Sequence, residues 1–275
     1  MKTWFITGAS QGFGLEFITQ LLRDGNNVAA TSRSLSGLEK AAGTHPNLLP
    51  LEVDIVNEQS VKTAIEKTIA AFGNIDVVVN NAGYGQLGAL EELSDAEARK
   101  NFDVNVFGAL NVIRYAMPQL RKQGKGHIIN ISSIAGLTGN FAGWGIYCAT
   151  KFAMAGFTES LAAEVKPFGI KTTLVLPGYF RTNFLEGSSL SLPKNALDAY
   201  SEVRESTIMH QNQINGNQPG DPKKGVSEII KVVNEEKAPL YLMLGTDAVQ
   251  MAENKVSLLE NEIEAWKTIS VATDF

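Results

Sequence analysis

The fold of this chain is decided by the stretch Trp4-Phe5-Ile6-Thr7-Gly8-Ala9-Ser10-Gln11-Gly12-Phe13-Gly14. Its apolar start predicts a β-strand, and the apolar spacing after Gly14 predicts a helix. Glycines between a strand and a helix let the backbone approach a phosphate, because no Cβ stands in the way. Free N–H groups and the positive end of the helix then meet the anion. This order indicates a pyrophosphate-binding site, although a Gly-x-x-x-Gly-x-Gly turn could also merely connect the two elements.

A second informative pattern is the run Tyr147-Cys148-Ala149-Thr150-Lys151. On a helix, residues four positions apart share one face, so the phenol and the amine are expected side by side. An ammonium next to a phenol favours the phenolate and should lower the pKa of Tyr147 from its usual value of about 10. A proton donor that works near neutral pH is what the reduction of a carbonyl requires. Because tyrosine and lysine are common, the pair alone is weak evidence of catalysis.

Together, the glycine turn and the Tyr147/Lys151 pair resemble those of the short-chain dehydrogenase/reductase family. Four further segments match this family, and they are Asn80-Asn81-Ala82-Gly83, Asn105 within Asp103-Val104-Asn105-Val106, Ser132-Ser133, and Pro177-Gly178 with Thr182. Each motif is weak by itself, whereas all of them in order from Thr7 to Thr182 make a specific resemblance. The sequence after Thr182 is much less diagnostic.

Apolar runs and helical patterns alternate along the chain, which predicts an α/β fold. Strands are predicted at 3–7, 27–31, 48–53, 76–80, 127–132, 171–176 and 240–244. Helices are predicted at 12–24, 36–42, 58–72, 94–122, 147–167, 223–236 and 246–266, the last with Val249, Val256, Leu259 and Ile263 on one stripe. Such alternation indicates a doubly wound, Rossmann-type parallel sheet with helices on both faces. The resemblance implies about seven strands in the order 3-2-1-4-5-6-7.

Residues 1–275 are predicted to form a single Rossmann-fold oxidoreductase domain, because no linker long enough to divide the chain occurs. Segment 183–220 differs by its turn-rich runs, Glu186-Gly187-Ser188-Ser189 and Gly216-Asn217-Gln218-Pro219-Gly220. We expect this segment to form an excursion on the substrate-side rim and to act as a lid.

The composition favours a globular enzyme. The chain has 275 residues, of which 44% are hydrophobic and 19% charged, enough for a sizeable core. The net charge of −5 argues against nucleic acid as a partner, since phosphate binding needs a basic surface. No apolar run approaches the roughly 20 residues that cross a bilayer, and no signal pattern is found, so we expect a cytoplasmic protein without a membrane partner. The single cysteine and three scattered histidines predict neither an internal disulfide nor a metal site.

The end of the second predicted strand bears on the choice of cofactor. In dinucleotide sites an acidic residue there bonds the ribose 2′-hydroxyl and selects NAD. The resemblance puts that position at Ser32, which is not acidic, and Arg33 follows with a guanidinium suited to a phosphate. We therefore expect NADP rather than NAD, the alternative being an Arg33 that is merely solvated. The resemblance further implies a nucleotide site made of Gly8, Ser10, Gln11, Gly12, Phe13, Gly14, Ser32, Arg33, Asp54, Asn81, Ala82, Gly83, Tyr147, Lys151, Pro177, Gly178 and Thr182.

The resemblance also assigns four catalytic residues. Tyr147 would protonate the carbonyl oxygen in reduction and take the proton back in oxidation. Lys151 would hold the nicotinamide ribose and make Tyr147 more acidic. Ser133 would donate a second hydrogen bond to the substrate, and Asn105 would hold a water that links Lys151 to solvent.

The choice of serine rests on spacing. The spacing that is frequent in the family would place the serine at Ile134, so one extra residue in the loop 136–145 is expected. This insertion favours Ser133 over Ser132. Strand alternation lets only one of the two side chains face the site.

An apolar small-molecule substrate is predicted from the residues that would line the rest of the pocket, Phe141, Trp144, Tyr179, Phe180 and Phe184. Such a wall suits an apolar ketone, aldehyde or secondary alcohol. Packing in the core or at the rim is the competing interpretation of each of these residues.

Three functions remain open at this point. An NADP-dependent carbonyl reductase or alcohol dehydrogenase is favoured. A nucleotide-binding sensor without turnover would keep the fold, but the catalytic residues argue against it. An isomerase or epimerase of the same family ranks last, since those members usually lack the Asn-Asn-Ala-Gly run. By family analogy, helices over 103–122 and 147–167 pair across a two-fold axis, which predicts a homodimer or homotetramer.

Overall fold

Seven parallel strands form the central sheet of the computed structural model, which describes residues 1–275 apart from the side chain of Ser188. The strands are β1 (Thr3–Ile6), β2 (Asn27–Ser32), β3 (Leu48–Glu52), β4 (Val77–Asn80), β5 (Gly126–Ile131), β6 (Ile170–Pro177) and β7 (Tyr241–Leu244). They lie in the order β3-β2-β1-β4-β5-β6-β7, and every neighbouring pair is parallel. The predicted Rossmann-type fold and strand order are confirmed.

Helices cover both faces of this sheet. They are α1 (Gly12–Arg23), α2 (Leu35–Ala42), α3 (Glu58–Phe72), α4 (Asp95–Phe102), α5 (Gly108–Gln123), α6 (Gly145–Val165), α7 (Ser201–Ile208), α8 (Pro222–Asn234) and α9 (Thr246–Val271). Trp4 of β1 belongs to a buried cluster with Phe17 of α1, whereas the next residue, Phe5, belongs to a cluster with Val61 of α3. Since successive strand side chains point to opposite faces, a continuous apolar run is what a sheet covered on both faces requires.

The predicted helix over 94–122 is divided in two. Asp103–Phe107 forms a π-helical turn between α4 and α5, and Asn105 is buried within it. The side chain of Ile55 packs so closely that a Cβ at Gly108 would lie 2.6 Å from it. Wide turns of this kind often occur at functional sites. Helical periodicity does not reveal the turn, because its residues keep helical backbone angles on either side.

Segment 183–220 contains more regular structure than its sequence predicts. It includes α7, a π-helical turn at Met209–Ile214, and a two-residue strand, Leu190–Ser191, that pairs in parallel with Gly85–Gln86. α7 escaped prediction because Val203 is the one apolar residue that it buries.

A buried carboxylate fastens this segment to the body of the protein. The side chain of Glu92 is 0% exposed and lies 2.6 Å from the Arg204 guanidinium of α7. It also accepts hydrogen bonds of 2.7 Å from the backbone N–H groups of Ala89 and Leu197. Burial would raise the pKa of Glu92, but these two N–H groups and Arg204 together hold it below its usual value.

The last helix is longer than predicted, and its apolar stripe is not covered. α9 ends at Val271 rather than 266, and only Ala248 and Ala252 of it are buried. The predicted stripe residues Val249, Val256, Leu259 and Ile263 are all exposed. No helix in the described part of the chain combines the length and the hydropathy needed to cross a membrane.

Candidate active site

The glycine turn between β1 and α1 has the shape of an anion cradle. Gly8 and Gly12 have φ angles of +63° and +54°, a region that side chains other than glycine rarely adopt. A Cβ at Gly14 would lie 2.7 Å from the Cα of Ala9, so the turn can pack on the helix only with glycine there. The first turn of α1 has no acidic residue, and Gln11 makes no side-chain cap. The N-terminal N–H groups and the helix dipole therefore suit a pyrophosphate.

Two side chains hold this turn against the neighbouring strand. Asn81, which follows β4, donates from Nδ2 to the carbonyl oxygens of Thr7 and Gly8 at 3.0 and 2.9 Å. The Thr7 hydroxyl in turn accepts from the backbone N–H groups of Asn81 and Ala82, both at 3.0 Å. Asn81 thus has a structural role at the ends of β1 and β4.

The end of β2 lies at one side of the same cleft. Ser32 is 3.4 Å from Ser10, measured between the two hydroxyl oxygens. Arg33 is exposed and lines the cleft together with Asp54. Among the described side chains, no carboxylate forms a salt bridge with Arg33. Its guanidinium therefore keeps its donors available for a phosphate.

Tyr147 and Lys151 lie together on the first turns of α6. The two residues are 6% and 4% exposed. The Lys151 ammonium lies 5.7 Å from the centroid of the Tyr147 ring and donates to the carbonyl oxygen of Ile131 at 3.0 Å. The sequence spacing correctly placed both side chains on one face of the helix.

The predicted fall in the pKa of Tyr147 is not found in this structure, where the net shift is upward. Burial raises the pKa of the Tyr147 phenol well above its usual value, and the Ser133 side chain opposes the rise only in part. Burial also lowers the pKa of Lys151 to about 8. Desolvation outweighs the attraction between the two groups because both are buried and the ammonium lies near the ring rather than being bonded to the phenol oxygen.

The two serines after β5 point in different directions. The Ser132 hydroxyl donates to the carbonyl oxygen of Lys151 at 3.2 Å and is buried against α6. Ser133 borders the cleft, where its oxygen accepts from the N–H of Ala135 at 3.1 Å and begins the short turn Ile134–Gly136. Both serines line the cleft, but only the Ser133 side chain hydrogen-bonds the Tyr147 phenol.

Asn105 is a buried connection behind the cleft. Its amide nitrogen donates to the carbonyl oxygen of Tyr84 and to the Thr150 hydroxyl, both at 3.0 Å. Its amide oxygen accepts from the N–H of Tyr84 at 3.0 Å. Asn105 thus joins the turn after β4 to α6. The water proposed for Asn105 on family grounds stays a prediction.

The end of β6 closes the cleft on a third side. Pro177, Gly178 and Thr182 all line it. A Cβ at Gly178 would overlap the carboxylate of Asp247, which accepts from the N–H of Tyr179 at 2.7 Å. The base of α9 therefore fixes the backbone at this point.

These elements enclose one cavity of about 420 Å³. The predicted wall of Phe141, Trp144, Tyr179, Phe180 and Phe184 lines it. Of the predicted site residues, all line it except Gly14, which packs beneath the glycine turn, and Asn105. In the described part of the chain, no cluster of three or more His, Cys, Asp or Glu side chains suits a metal ion.

His210 is a cleft residue that the sequence interpretation missed. Its Nδ1 lies 2.7 Å from the Ser206 carbonyl oxygen and must donate there, so Nε2 accepts from the Tyr179 hydroxyl at 3.0 Å. Its ring lies 5.0 Å from the Trp144 ring, measured between centroids. Burial lowers the pKa of His210, which favours the neutral ring. No local signal identifies His210, since it lies in a segment without a predicted helix.

Comparison with known proteins defines the class of this protein. The model of the short chain dehydrogenase family matches residues 2–191, which is more than half of the chain. The chain belongs to the short chain dehydrogenase family.

Named relatives are oxidoreductases. The chain is 36% identical over 262 residues to 3-ketodihydrosphingosine reductase of Bacteroides thetaiotaomicron, with 94% of each chain covered. It is 35% identical over 253 residues to retinol dehydrogenase 8 of Bos taurus, which covers 87% of this chain and 80% of the relative. A crystal structure of a short-chain dehydrogenase from Streptomyces avermitilis is 36% identical, covers 100% of both chains and has a TM-score of 0.91.

Two similar structures hold a nicotinamide nucleotide. The protein ElxO with NADP bound is 26% identical and has a TM-score of 0.74, covering 90% of this chain and 99% of its own. A 3-ketoacyl-(acyl-carrier-protein) reductase from Brucella melitensis complexed with NADH is 25% identical with a TM-score of 0.73, covering 88% and 96%. These neighbours support a nicotinamide cofactor for this chain.

Proposed function

We propose that this protein is an NADP(H)-dependent oxidoreductase that interconverts an apolar ketone or aldehyde with the corresponding alcohol. The observation that carries the proposal is the convergence of Ser133, Tyr147 and Lys151 in one cleft between a glycine cradle and an aromatic wall. The cofactor-binding end and the substrate-binding end of the cleft thus meet at the Tyr147 hydroxyl, the expected proton donor.

The residues that line the cradle would hold the dinucleotide as follows. The positive φ angles of Gly8 and Gly12 shape the turn that would take the pyrophosphate at the N-terminus of α1. Ser32 and Arg33 would hold the 2′-phosphate, and Asp54 would meet the adenine amino group. Bound NADPH would supply a hydride to the carbonyl carbon. The remaining contacts would come from Asn81, Ala82 and Gly83 to the adenosine ribose, Lys151 to the nicotinamide ribose, and Pro177, Gly178 and Thr182 to the carboxamide.

The chain's own groups would manage the proton and the developing charge. Tyr147, whose raised pKa keeps its hydroxyl protonated at neutral pH, would donate that proton to the carbonyl oxygen. Ser133 would donate a second hydrogen bond to the same oxygen. With a pKa of about 8, Lys151 is still mainly cationic at neutral pH, and its charge would stabilise the phenolate that forms.

The substrate end favours a largely apolar molecule. Phe141, Trp144 and Phe184 belong to a single apolar cluster beside Tyr147. Two relatives are named for retinol and 3-ketodihydrosphingosine, both of which are mostly hydrocarbon. Segment 183–220 would act as a lid, because it supplies Phe184 and His210 to the wall.

Cytoplasmic location and self-association remain part of the proposal. Phe107 and Phe152 are exposed beside α5 and on α6, the elements expected to pair across a two-fold axis. Mutating Phe152 to Glu should lower the molecular mass of the assembly if these helices form the contact.

The test is NADPH oxidation with a panel of apolar ketones and aldehydes. Tyr147→Phe should lower kcat by about 100- to 10,000-fold, while the dissociation constant for NADPH stays near that of the wild type. Tyr115→Phe, which removes an exposed phenol hydroxyl on α5, is the matched control. Tight NADPH binding without turnover of any carbonyl would favour the sensor. A Tyr147→Phe variant that keeps more than about a tenth of the activity would remove Tyr147 from the mechanism.

A further inference from the structure

Most of α9 stands away from the rest of the protein. Its 26 residues span about 39 Å. Ala248 and Ala252 pack beside Ile134 and Met243, whereas none of the described residues from Glu253 onward is buried. A helical segment without tertiary contacts is only marginally stable in water. We therefore expect the part of α9 from Glu253 onward to be stabilised by contact with another molecule.

The apolar residues of α9 form a seam with the spacing of a coiled coil. The seam consists of Val249, Ala252, Val256, Leu259, Ile263 and Trp266. These positions alternate in steps of three and four, which is the heptad repeat of a left-handed coiled coil. Beyond Ala252 the seam is open to solvent, with Val256 52% and Ile263 65% exposed.

The residue types at the a positions, together with Leu259, favour one kind of assembly. The heptad a positions are Val249, Val256 and Ile263, all of which are β-branched. The d positions are Ala252, which is buried against the rest of the protein, Leu259 and Trp266. β-Branched residues at a with leucine at d favour two parallel strands. A wide apolar face without this alternation would have no such preference.

The flanking charges agree with a parallel pair in register. Lys255 and Glu262 occupy g positions, and Glu260 and Lys267 occupy e positions. In a parallel pair, each g residue faces the e residue five positions further along the second helix. Lys255 would then meet the partner's Glu260, and Glu262 would meet the partner's Lys267. Both pairs have opposite charges.

The charge of the helix argues against a membrane as the occupant. α9 has five carboxylates and two lysines. Helices that lie on membranes are rich in Lys and Arg, because anionic headgroups attract them. We propose that the seam of α9 binds the same seam of a second copy of this chain, as a parallel two-stranded coiled coil.

Sedimentation equilibrium of the full chain tests the proposal. Ile263→Glu places a charge in the seam and should weaken self-association at least about tenfold, or about 1.4 kcal/mol. Leu258→Glu is the matched control, since Leu258 is 51% exposed on the same helix but lies outside the seam. Equal effects of the two variants, or none from Ile263→Glu, would overturn the proposal. If α5 and α6 also pair, the wild type should be a tetramer and Ile263→Glu a dimer.

Register and orientation have their own tests. Leu259→Cys should form a disulfide-linked dimer on oxidation, because d positions face each other in a parallel pair, whereas Leu258→Cys should not.

Lys255→Glu should weaken the dimer, and Lys255→Glu combined with Glu260→Lys should restore it. A dimer without the Leu259→Cys crosslink would contradict the parallel arrangement. Binding of wild-type protein, but not Ile263→Glu, to anionic lipid vesicles would replace the second copy by a membrane.

Discussion

The two ends of the cleft are built in different ways. At the glycine-turn end, Thr7 and Asn81 hold main-chain groups at the ends of adjacent strands. At the aromatic end, Trp144, Tyr179 and His210 come from three separate segments, and the side chains of Trp144 and Tyr179 each contact that of His210. The first end is fixed by backbone geometry, and the second by side-chain packing over long sequence separations. A single substitution should therefore have a large effect on NADPH affinity at the first end, and a smaller effect on substrate KM at the second.

The largest effect on cofactor binding is expected at Gly14. A Cβ there would meet main-chain atoms of Gly8 and Ala9, which cannot rotate away as a side chain would. Gly14→Ala should weaken NADPH binding by about 100-fold, or about 2.8 kcal/mol, measured by titration calorimetry. Gly156→Ala is the matched control, since a Cβ at Gly156 meets nothing within 4 Å. Equal NADPH affinity of the two variants would show that the turn is not a rigid cradle.

Loss of the Glu92–Arg204 contact, which anchors segment 183–220, should change the free energy of unfolding more than it changes NADPH binding. Glu92→Gln removes the charge that faces Arg204 and turns an amide NH2 group towards N–H donors. Because the amide keeps one acceptor oxygen, this should lower the free energy of unfolding by about 2–3 kcal/mol. It should also raise KM for the carbonyl substrate and leave the dissociation constant for NADPH unchanged. Asp95→Asn removes an exposed carboxylate from a pair with Arg99 and should change none of these quantities. A loss of NADPH affinity in Glu92→Gln would mean that the two ends are not independent.

Cofactor choice tests the glycine-turn end in a second way. Arg33→Asp replaces a phosphate ligand by a group that repels phosphate, so the ratio of kcat/KM for NADPH to that for NADH should fall at least about tenfold, or about 1.4 kcal/mol. Arg23→Asp makes the same change of charge at the far end of α1. If the ratio does not move, or moves equally in both variants, Arg33 does not recognise the 2′-phosphate.

The same contrast explains what the sequence could predict. The seven strands and the cofactor-binding motifs follow from local patterns, because each turn, strand end and i, i+4 pair is encoded by residues close together in the chain. His210 and α7 depend on tertiary packing and have no local signal. Burial reverses the pKa shift expected for Tyr147, and burial depends on the whole fold. The stripe of α9 was visible in the sequence, but its exposure was not.

The smallest effect is expected at the Tyr179–His210 pair. Tyr179→Phe leaves Nε2 of His210 without its hydrogen-bond donor. It should raise KM about two- to tenfold for substrates with a second polar group, and leave KM unchanged for ketones whose only polar group is the carbonyl. Burial raises the pKa of Tyr179 above 10 and lowers that of His210 below 6.5, so both stay neutral and the effect should be constant from about pH 7 to 9.

Tyr241→Phe removes a phenol hydroxyl that bonds Glu159 outside the cleft and serves as the control. A Tyr179→Phe effect that disappears as the pH rises from about 7 to 9 would mean that His210 is charged near neutral pH, since only a charged ring loses a proton in that range. An effect on NADPH affinity as large as that on substrate KM would place the pair at the cofactor instead. A change confined to KM for polar substrates would locate substrate discrimination at the end of the cleft that side-chain packing builds.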